Sequence, residues 1–244
     1  MKLGFFDSGL GGLLVMESCM KALPEHSYVY LGDTKNIPYG PKSSDEIYEA
    51  MEPCLNYLLD IQNCDHVVVA CNTASVKAVH LYKQRYQGSA DKIHGISEPT
   101  VNFLKQRDYK DLLVLATQTT VQSGVYSRTA ARVKQIAMPG LVPLIEAHKQ
   151  QEAVLMCTDA ISYEADTRNV LLGCTHYIWL IDELSRRFKN KNIFGQDWII
   201  IDYLRGLELA ATKDEDVSTT YLVTGDPQDY LENYGHNFTH CDIT

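Results

Sequence analysis

Two segments about a hundred residues apart repeat one pattern: a short apolar run, a small residue, a cysteine, then polar side chains. The first is Val67-Val68-Val69-Ala70-Cys71-Asn72-Thr73 and the second Val170-Leu171-Leu172-Gly173-Cys174-Thr175-His176. Runs this short, apolar and poor in breakers read as buried strands. Around them, other short apolar runs alternate with longer amphipathic stretches, the pattern of strand–helix units on a parallel sheet. Each half also opens on a strand leading into polar, hydroxyl-bearing residues, Asp7-Ser8 in one and Thr117-Gln118-Thr119-Thr120 in the other. No Pro- or Gly-rich linker lies between them. The repeat therefore predicts an α/β fold: two similar parallel-sheet domains facing each other, with a site in the cleft between.

In the first half the pattern predicts strands at Lys2–Phe6, Ser27–Leu31 and Val67–Ala70. It predicts helices over Leu13–Leu23, from a cap at Ser44 towards Leu59 with a kink or early break at Pro53, and over Ser75–Tyr86. The second half is expected to begin near Ile93. Strands are expected at Leu112–Ala116, Gly140–Ile145, Asn169–Leu172 and Trp198–Ile201, and helices at Gln122–Gln135 and Tyr177–Phe188.

Charge and hydropathy exclude several classes. With 22 Lys+Arg against 31 Asp+Glu and a net charge of −9, no basic block is available to bind nucleic acid. The longest apolar runs fall far short of the roughly 18 residues a membrane span needs. Asp7 leaves no room for a signal-peptide core. Seven cysteines, an odd number, in a chain large enough to bury a core without staples read as reduced thiols in a cytoplasm.

In open parallel sheets ligands bind beyond the carboxyl ends of strands, where Cys71 and Cys174 stand. A helix N-terminus there would lower a thiol's pKa towards a usable thiolate. Four chemistries fit a pair of such thiols: a redox couple, zinc with His176, a nucleophile with His176 as base, or acid–base catalysis. The cysteines lack C-x-x-C spacing, and a local C-x-H offers zinc only two of about four ligands. Two facing thiols best suit proton removal from one face of a carbon and return on the other. The loop Asp7-Ser8-Gly9-Leu10-Gly11-Gly12 fails the dinucleotide fingerprint, because Leu14 stands at the third glycine. Its glycines are read as permitting a tight turn and close approach to a small anion. Cys19, Cys54 and Cys157 fall in helical patterns and Cys64 precedes a strand, so all four read as packing. His236, His240 and Cys241 resemble a metal cluster but lack a fourth partner, and no metal site is expected. Asp214-Glu215-Asp216 reads as a solvated stretch.

Asp7-Ser8-Gly9-Leu10-Gly11-Gly12, Pro38-Tyr39-Gly40, Ala70-Cys71-Asn72-Thr73-Ala74-Ser75 and Gly173-Cys174-Thr175-His176-Tyr177 together resemble the signature segments of the glutamate racemase branch of the cofactor-independent aspartate/glutamate racemase superfamily. Weaker matches at Thr117–Thr120, Leu141–Glu146 and Thr224–Asp226 extend the resemblance over almost the whole chain. It implies one domain of residues 1–94 plus 207–244 and another of 95–206. By matching position, Cys71 and Cys174 become acid/base thiols acting on the D- and L-enantiomer respectively, with Asp7, His176 and Glu146 assisting. Substrate contacts would come from Asp7, Ser8, Tyr39, Gly40, Asn72, Thr73, Thr117, Thr120, Thr175 and His176. The implied activity is interconversion of L- and D-glutamate without a cofactor, supplying D-glutamate for peptidoglycan. The implied partner is this small molecule, and pairing as a homodimer is left open. Alternatives are a racemase of aspartate or another acidic amino acid, or a non-catalytic regulator such as a topoisomerase inhibitor, which the presence of both thiols disfavours. The chain departs from the family pattern at Ile178, where proline is usual, at Ala147-His148 and at Tyr203-Leu204.

Overall fold

The computed structural model describes residues 1–207, 209–211, 217–228 and 235–243. In chain order, β1 (Lys2–Asp7), α1 (Gly12–Ala22), β2 (Ser27–Gly32), α2 (Ser44–Asn56), β3 (His66–Val69), α3 (Asn72–Lys77), α4 (Val79–Arg85) and β4 (Ile93–Gly95) are followed by α5 (Ser97–Arg107). Then come β5 (Asp111–Ala116), α6 (Gln118–Ser123), β6 (Arg132–Ala137), α7 (Leu141–Glu146), α8 (Gln150–Tyr163), β7 (Asn169–Gly173), α9 (Ile181–Arg187), β8 (Asn192–Phe194), α10 (Asp197–Arg205), β9 (Thr219–Val223) and β10 (Thr239–His240).

These strands form two sheets, ordered β10-β9-β2-β1-β3-β4 and β6-β5-β7-β8, with parallel pairing throughout. The repeat read from the sequence is therefore physical. β2-β1-β3-β4 of the first sheet corresponds to β6-β5-β7-β8 of the second, and each half's first strand lies centrally beside the strand that ends in cysteine. In the first sheet Phe6 pairs with Val69, and in the second Ala116 pairs with Gly173, so Asp7 and Cys71, like Thr117 and Cys174, emerge at the same edge. Strands buried on both faces account for the nearly unbroken burial of β1, β2, β3, β5 and β7. The C-terminal strands β9 and β10 extend the first sheet through the pairing of β9 with β2.

Several expected elements differ. The cap of α2 is Ser43, one residue before Ser44: its hydroxyl accepts from Glu46 N, and Glu46 Oε2 accepts from Ser43 N at 2.7 Å, a capping box. Pro53 sits inside α2, which continues to Asn56 and passes into a π turn over Tyr57–Ile61. The expected helix Ser75–Tyr86 begins earlier, at Asn72, and is broken at Ala78, whose φ is −126°. β4, where the second half was expected to start, pairs with β3 of the first sheet.

The expected helix Gln122–Gln135 does not form. α6 stops at Ser123 because Gly124 takes the left-handed conformation at φ 65°, where it donates to Val121 O. The chain then returns as β6, an edge strand pairing only with β5. The expected strand Gly140–Ile145 is the helix α7, with Leu141 and Ile145, four apart, turned into the core of the second sheet. Trp198–Ile201 is not a strand but part of α10. Its continuous apolar run is explained by burial on several sides: Ile200 and Leu204 pack into the core beneath α1 and β1, while Ile199 packs with Phe103 and Leu112. The expected helix Tyr177–Phe188 starts as a 3₁₀ turn over Thr175–Leu180 before α9. Tyr203 on α10 shares a hydrogen bond of 2.8 Å with His94 Nδ1 of β4, and Ile178 packs against the core beneath α1.

Cys19, Cys54, Cys64 and Cys157 are buried packing residues, and all seven cysteines are free thiols. His236, His240 and Cys241 turn to separate partners, Glu17, Gly225 O and Val223 O. No group of three metal-binding side chains occurs among the described residues. Residues 214–216 lie outside them. Among the described residues, no helix is long and apolar enough to cross a membrane.

Candidate active site

The carboxyl ends of β1, β3, β5, β6 and β7 converge on one cavity of about 370 Å³. Asp7, Ser8, Tyr39, Gly40, Cys71, Asn72 and Thr73 line it from the first sheet. Thr117, Glu146, Cys174, Thr175 and His176 line it from the second. Both strand-end cysteines thus open on a single space. Thr120 is the exception among the expected contacts: it is fully buried behind Thr117, whose Oγ1 accepts from its backbone N.

Local hydrogen bonding fixes the first-sheet wall. Gly9 N donates to Asp7 Oδ1 at 2.8 Å, and Thr175 Oγ1 donates to Asp7 Oδ2 at 3.4 Å from the opposite sheet. Ser8 Oγ lies 3.3 Å from Cys71 Sγ, which also caps α3 by accepting from Ala74 N. Tyr39 donates to the fully buried Asp33 at 2.6 Å, as does Thr224 at 2.7 Å, so the Tyr39-Gly40 loop is tied to the end of β9. The two halves meet where Thr119 Oγ1 donates to Gly40 O at 2.9 Å and where Thr73 and Thr117 hydroxyls lie 3.4 Å apart.

The glycine-rich loop serves close packing. A Cβ on Gly11 would fall 2.3 Å from His176 Nδ1 and 2.5 Å from Thr175 Oγ1, and one on Gly12 would fall 2.8 Å from Asp7 Cβ. The loop is where the second sheet's Thr175-His176 leans on the first.

The two thiols have opposite electrostatic neighbours. Burial pushes the Cys71 thiol up to about 12, and the charge of Asp7 adds to the rise, outweighing the hydrogen bonds from Ser8 and Ala74. The lowering expected from its helix N-terminus is thus reversed. Burial also raises the Asp7 carboxyl, against the pull of His176. Burial alone would lower His176, yet hydrogen bonding to Cys174 and Glu146, with the charges of Cys174 and Asp7, raises it to about 10. Its Nε2 lies 3.0 Å from Glu146 Oε1. At neutral pH, then, a carboxyl group adjoins Cys71 and an imidazolium adjoins Cys174.

The sequence reading missed Met138, Pro139, Gly140, Val142 and Pro143, which form much of the cavity's apolar wall. They follow β6, and the strand-end rule that singled out Cys71 would have found them had Arg132–Ala137 been read as a strand. Gly9, Ile37, Pro38, Gln118 and Tyr177 also line the cavity beside residues that were singled out. No Lys or Arg is among the lining residues, so anions entering the cavity meet N–H and O–H donors and one imidazolium, beside the carboxyl groups of Asp7 and Glu146.

A family model described as Asp/Glu/Hydantoin racemase matches residues 14–200. The chain is 36% identical over 203 residues to the glutamate racemase of Aquifex aeolicus, covering 79% of this chain and 78% of that one. It is 35% identical over 213 residues to the glutamate racemase of Clostridium novyi, covering 83% and 78%. Among solved structures, that of glutamate racemase from Thermus thermophilus in complex with beta-chloro-D-alanine is similar at a TM-score of 0.82 and 28% identity, covering 99% of this chain and 97% of that one.

Proposed function

The chain belongs to the Asp/Glu/hydantoin racemase family and is therefore a racemase, an isomerase, and from that premise we propose that it interconverts L- and D-glutamate by proton transfer between Cys71 and Cys174. The observation that carries this reading is that two cysteines from the strand ends of different sheets line one small cavity. The glutamate assignment is supported by the similarity to the Aquifex and Clostridium enzymes.

In the direction from L to D, the Cys174 sulfur removes the Cα proton: a C–H bond breaks and an S–H bond forms. Cys71 then gives its S–H proton to the opposite face of the same carbon. No electrons are exchanged with a third party, and the reverse reaction uses the same groups in exchanged roles. The electrostatics support this order, because burial, with the charge of Asp7 added, favours the protonated thiol at Cys71 while the raised His176 imidazole stands beside Cys174.

The difficulty is the weak acidity of a Cα–H beside a carboxylate. Charge that develops on the substrate's carboxylate as the proton leaves must meet prearranged donors. Ser8, Asn72, Thr73 and Thr175 supply them at the cavity wall. In this scheme they do the work that an electron-sink cofactor does elsewhere, so the reaction proceeds without one. The product serves peptidoglycan assembly, in the cytoplasm.

Circular dichroism of L-glutamate and L-aspartate solutions with purified protein and no added cofactor tests the proposal. The L-glutamate signal is expected to decay to zero. Decay with L-aspartate alone would replace the substrate, and constant signals with both would remove the activity.

A further inference from the structure

Behind Asn72, the residue after Cys71, lies a closed ring of hydrogen bonds. Asn72 Nδ2 donates to Gln196 Oε1 at 2.7 Å, Gln196 Nε2 donates to the Tyr126 hydroxyl at 3.0 Å, and Tyr126 donates back to Asn72 Oδ1 at 3.2 Å. All three side chains are buried: Asn72 is 3% exposed, Gln196 1% and Tyr126 0%.

The ring's direction is set outside it. Gln196 Nε2 also donates to Thr100 Oγ1 at 2.9 Å, and the Thr100 proton is committed to Ile96 O at 2.7 Å. Thr100 can therefore only accept from Gln196, which forces the Gln196 amide to present its NH₂ to Thr100 and Tyr126 and its oxygen to Asn72. Asn72 must then turn its own NH₂ towards Gln196. A flip of either amide would set two acceptors or two donors against each other in a site without solvent. The backbone carbonyl of Ile96 in this way fixes the polarity of an amide at the cavity wall. One N–H of Asn72 is used in the ring and the other has no partner among the described residues.

We propose that Gln196 is a positioning residue for racemisation: it holds the Asn72 amide so that its remaining N–H is offered to the substrate carboxylate beside Cys71. This rests on the two-thiol glutamate reading and adds to it a residue that touches no substrate. Tyr126 packs among Leu112, Val114 and Phe194 of the second sheet, so the orientation of a first-sheet donor is decided by the second domain.

The test is steady-state kinetics on L-glutamate for wild type, Gln196→Leu, Tyr126→Phe, Asn72→Ala and the two double variants with Asn72→Ala. Because the carboxylate gains charge as the proton leaves, the loss is expected mainly in kcat, with KM little changed. Misplacing a donor by a fraction of its bond length predicts a fall of about 10- to 100-fold for Gln196→Leu and a smaller fall for Tyr126→Phe. In the Asn72→Ala background neither change should cost anything further, because the amide they orient is gone. Losses that multiply instead, or wild-type kcat in folded Gln196→Leu, overturn the proposal. If Gln196→Leu does not fold, Tyr126→Phe and its double variant decide on the same terms. Absence of turnover in the wild type would remove the glutamate reading together with this one, whereas wild-type turnover with additive variants removes only the role of Gln196.

Discussion

His176 Nε2 stands 3.0 Å from Glu146 Oε1, joining the turn after β7 to the last residue of α7. The imidazole is buried and the carboxylate half-exposed, so a positive charge is held inside the cavity wall by a partner that reaches solvent. This pair exists only because 141–146 is helical, and it sets the charge beside one of the two thiols.

Replacing Glu146 with Gln removes one of the interactions that raise His176. A group lifted from 6.5 to about 10 stabilises the fold fully below pH 6.5, and that contribution fades as pH climbs through 10. Glu146→Gln should draw the upper end of this window down. Both the alkaline limb of kcat/KM and the alkaline decline in Tm are expected to move to lower pH. An unmoved pair of profiles would show that Glu146 does not hold the imidazolium.

Cys71→Ser and Cys174→Ser should each lower racemisation by about a thousandfold, the scale of a lost acid or base. In deuterium oxide, Cys71→Ser should still wash deuterium into L-glutamate and Cys174→Ser into D-glutamate, since each retains the thiol for one face. Proton NMR of the recovered substrate reads the outcome. The opposite pairing of variant and enantiomer would refute the assignment of faces.

Gly11→Ala places a methyl 2.3 Å from His176 Nδ1 and 2.5 Å from Thr175 Oγ1, neither of which can yield without leaving its partner. Activity should drop at least tenfold, a loss expected from displacing catalytic groups by a fraction of an ångström. Kinetics with a thermal melt to confirm folding measures it. Wild-type kcat would mean that this approach is not needed.

Tyr39→Phe removes one hydrogen bond to Asp33, a carboxylate that is fully buried. The loss should be about 1–3 kcal/mol, the cost of leaving a buried acceptor short of a partner. Urea unfolding checks it, and an unchanged midpoint would show that Thr224 and Asn36 satisfy Asp33 on their own.

The sequence carried the fold class and most of the cavity lining, because both are local matters in a parallel sheet. A four-residue apolar run ending in a small residue and cysteine can be recognised without knowing its neighbours, and strand ends are where such sheets bind ligands. Errors fell where the local pattern was ambiguous. The apolar residues of α10 look like a strand until the second layer packing on them is known, and Arg132–Ala137 looks like the end of a helix until β5 offers its edge. The ring through Gln196 carried no signal at all, since an isolated glutamine before a helix has no pattern.

From its sequence alone the chain determined which side chains stand at the strand ends, since apolar spacing and a following small residue are enough to end a strand at Asp7, Cys71 or Cys174. Only the tertiary structure decided their charge. The rise of Cys71 depends on burial and on the charge of Asp7, and the rise of His176, against its burial, on its neighbour Cys174 and on Glu146 and Asp7 arriving from distant positions. Electrostatic interaction depends on distance through space and on excluded water, neither of which is encoded by order along the chain.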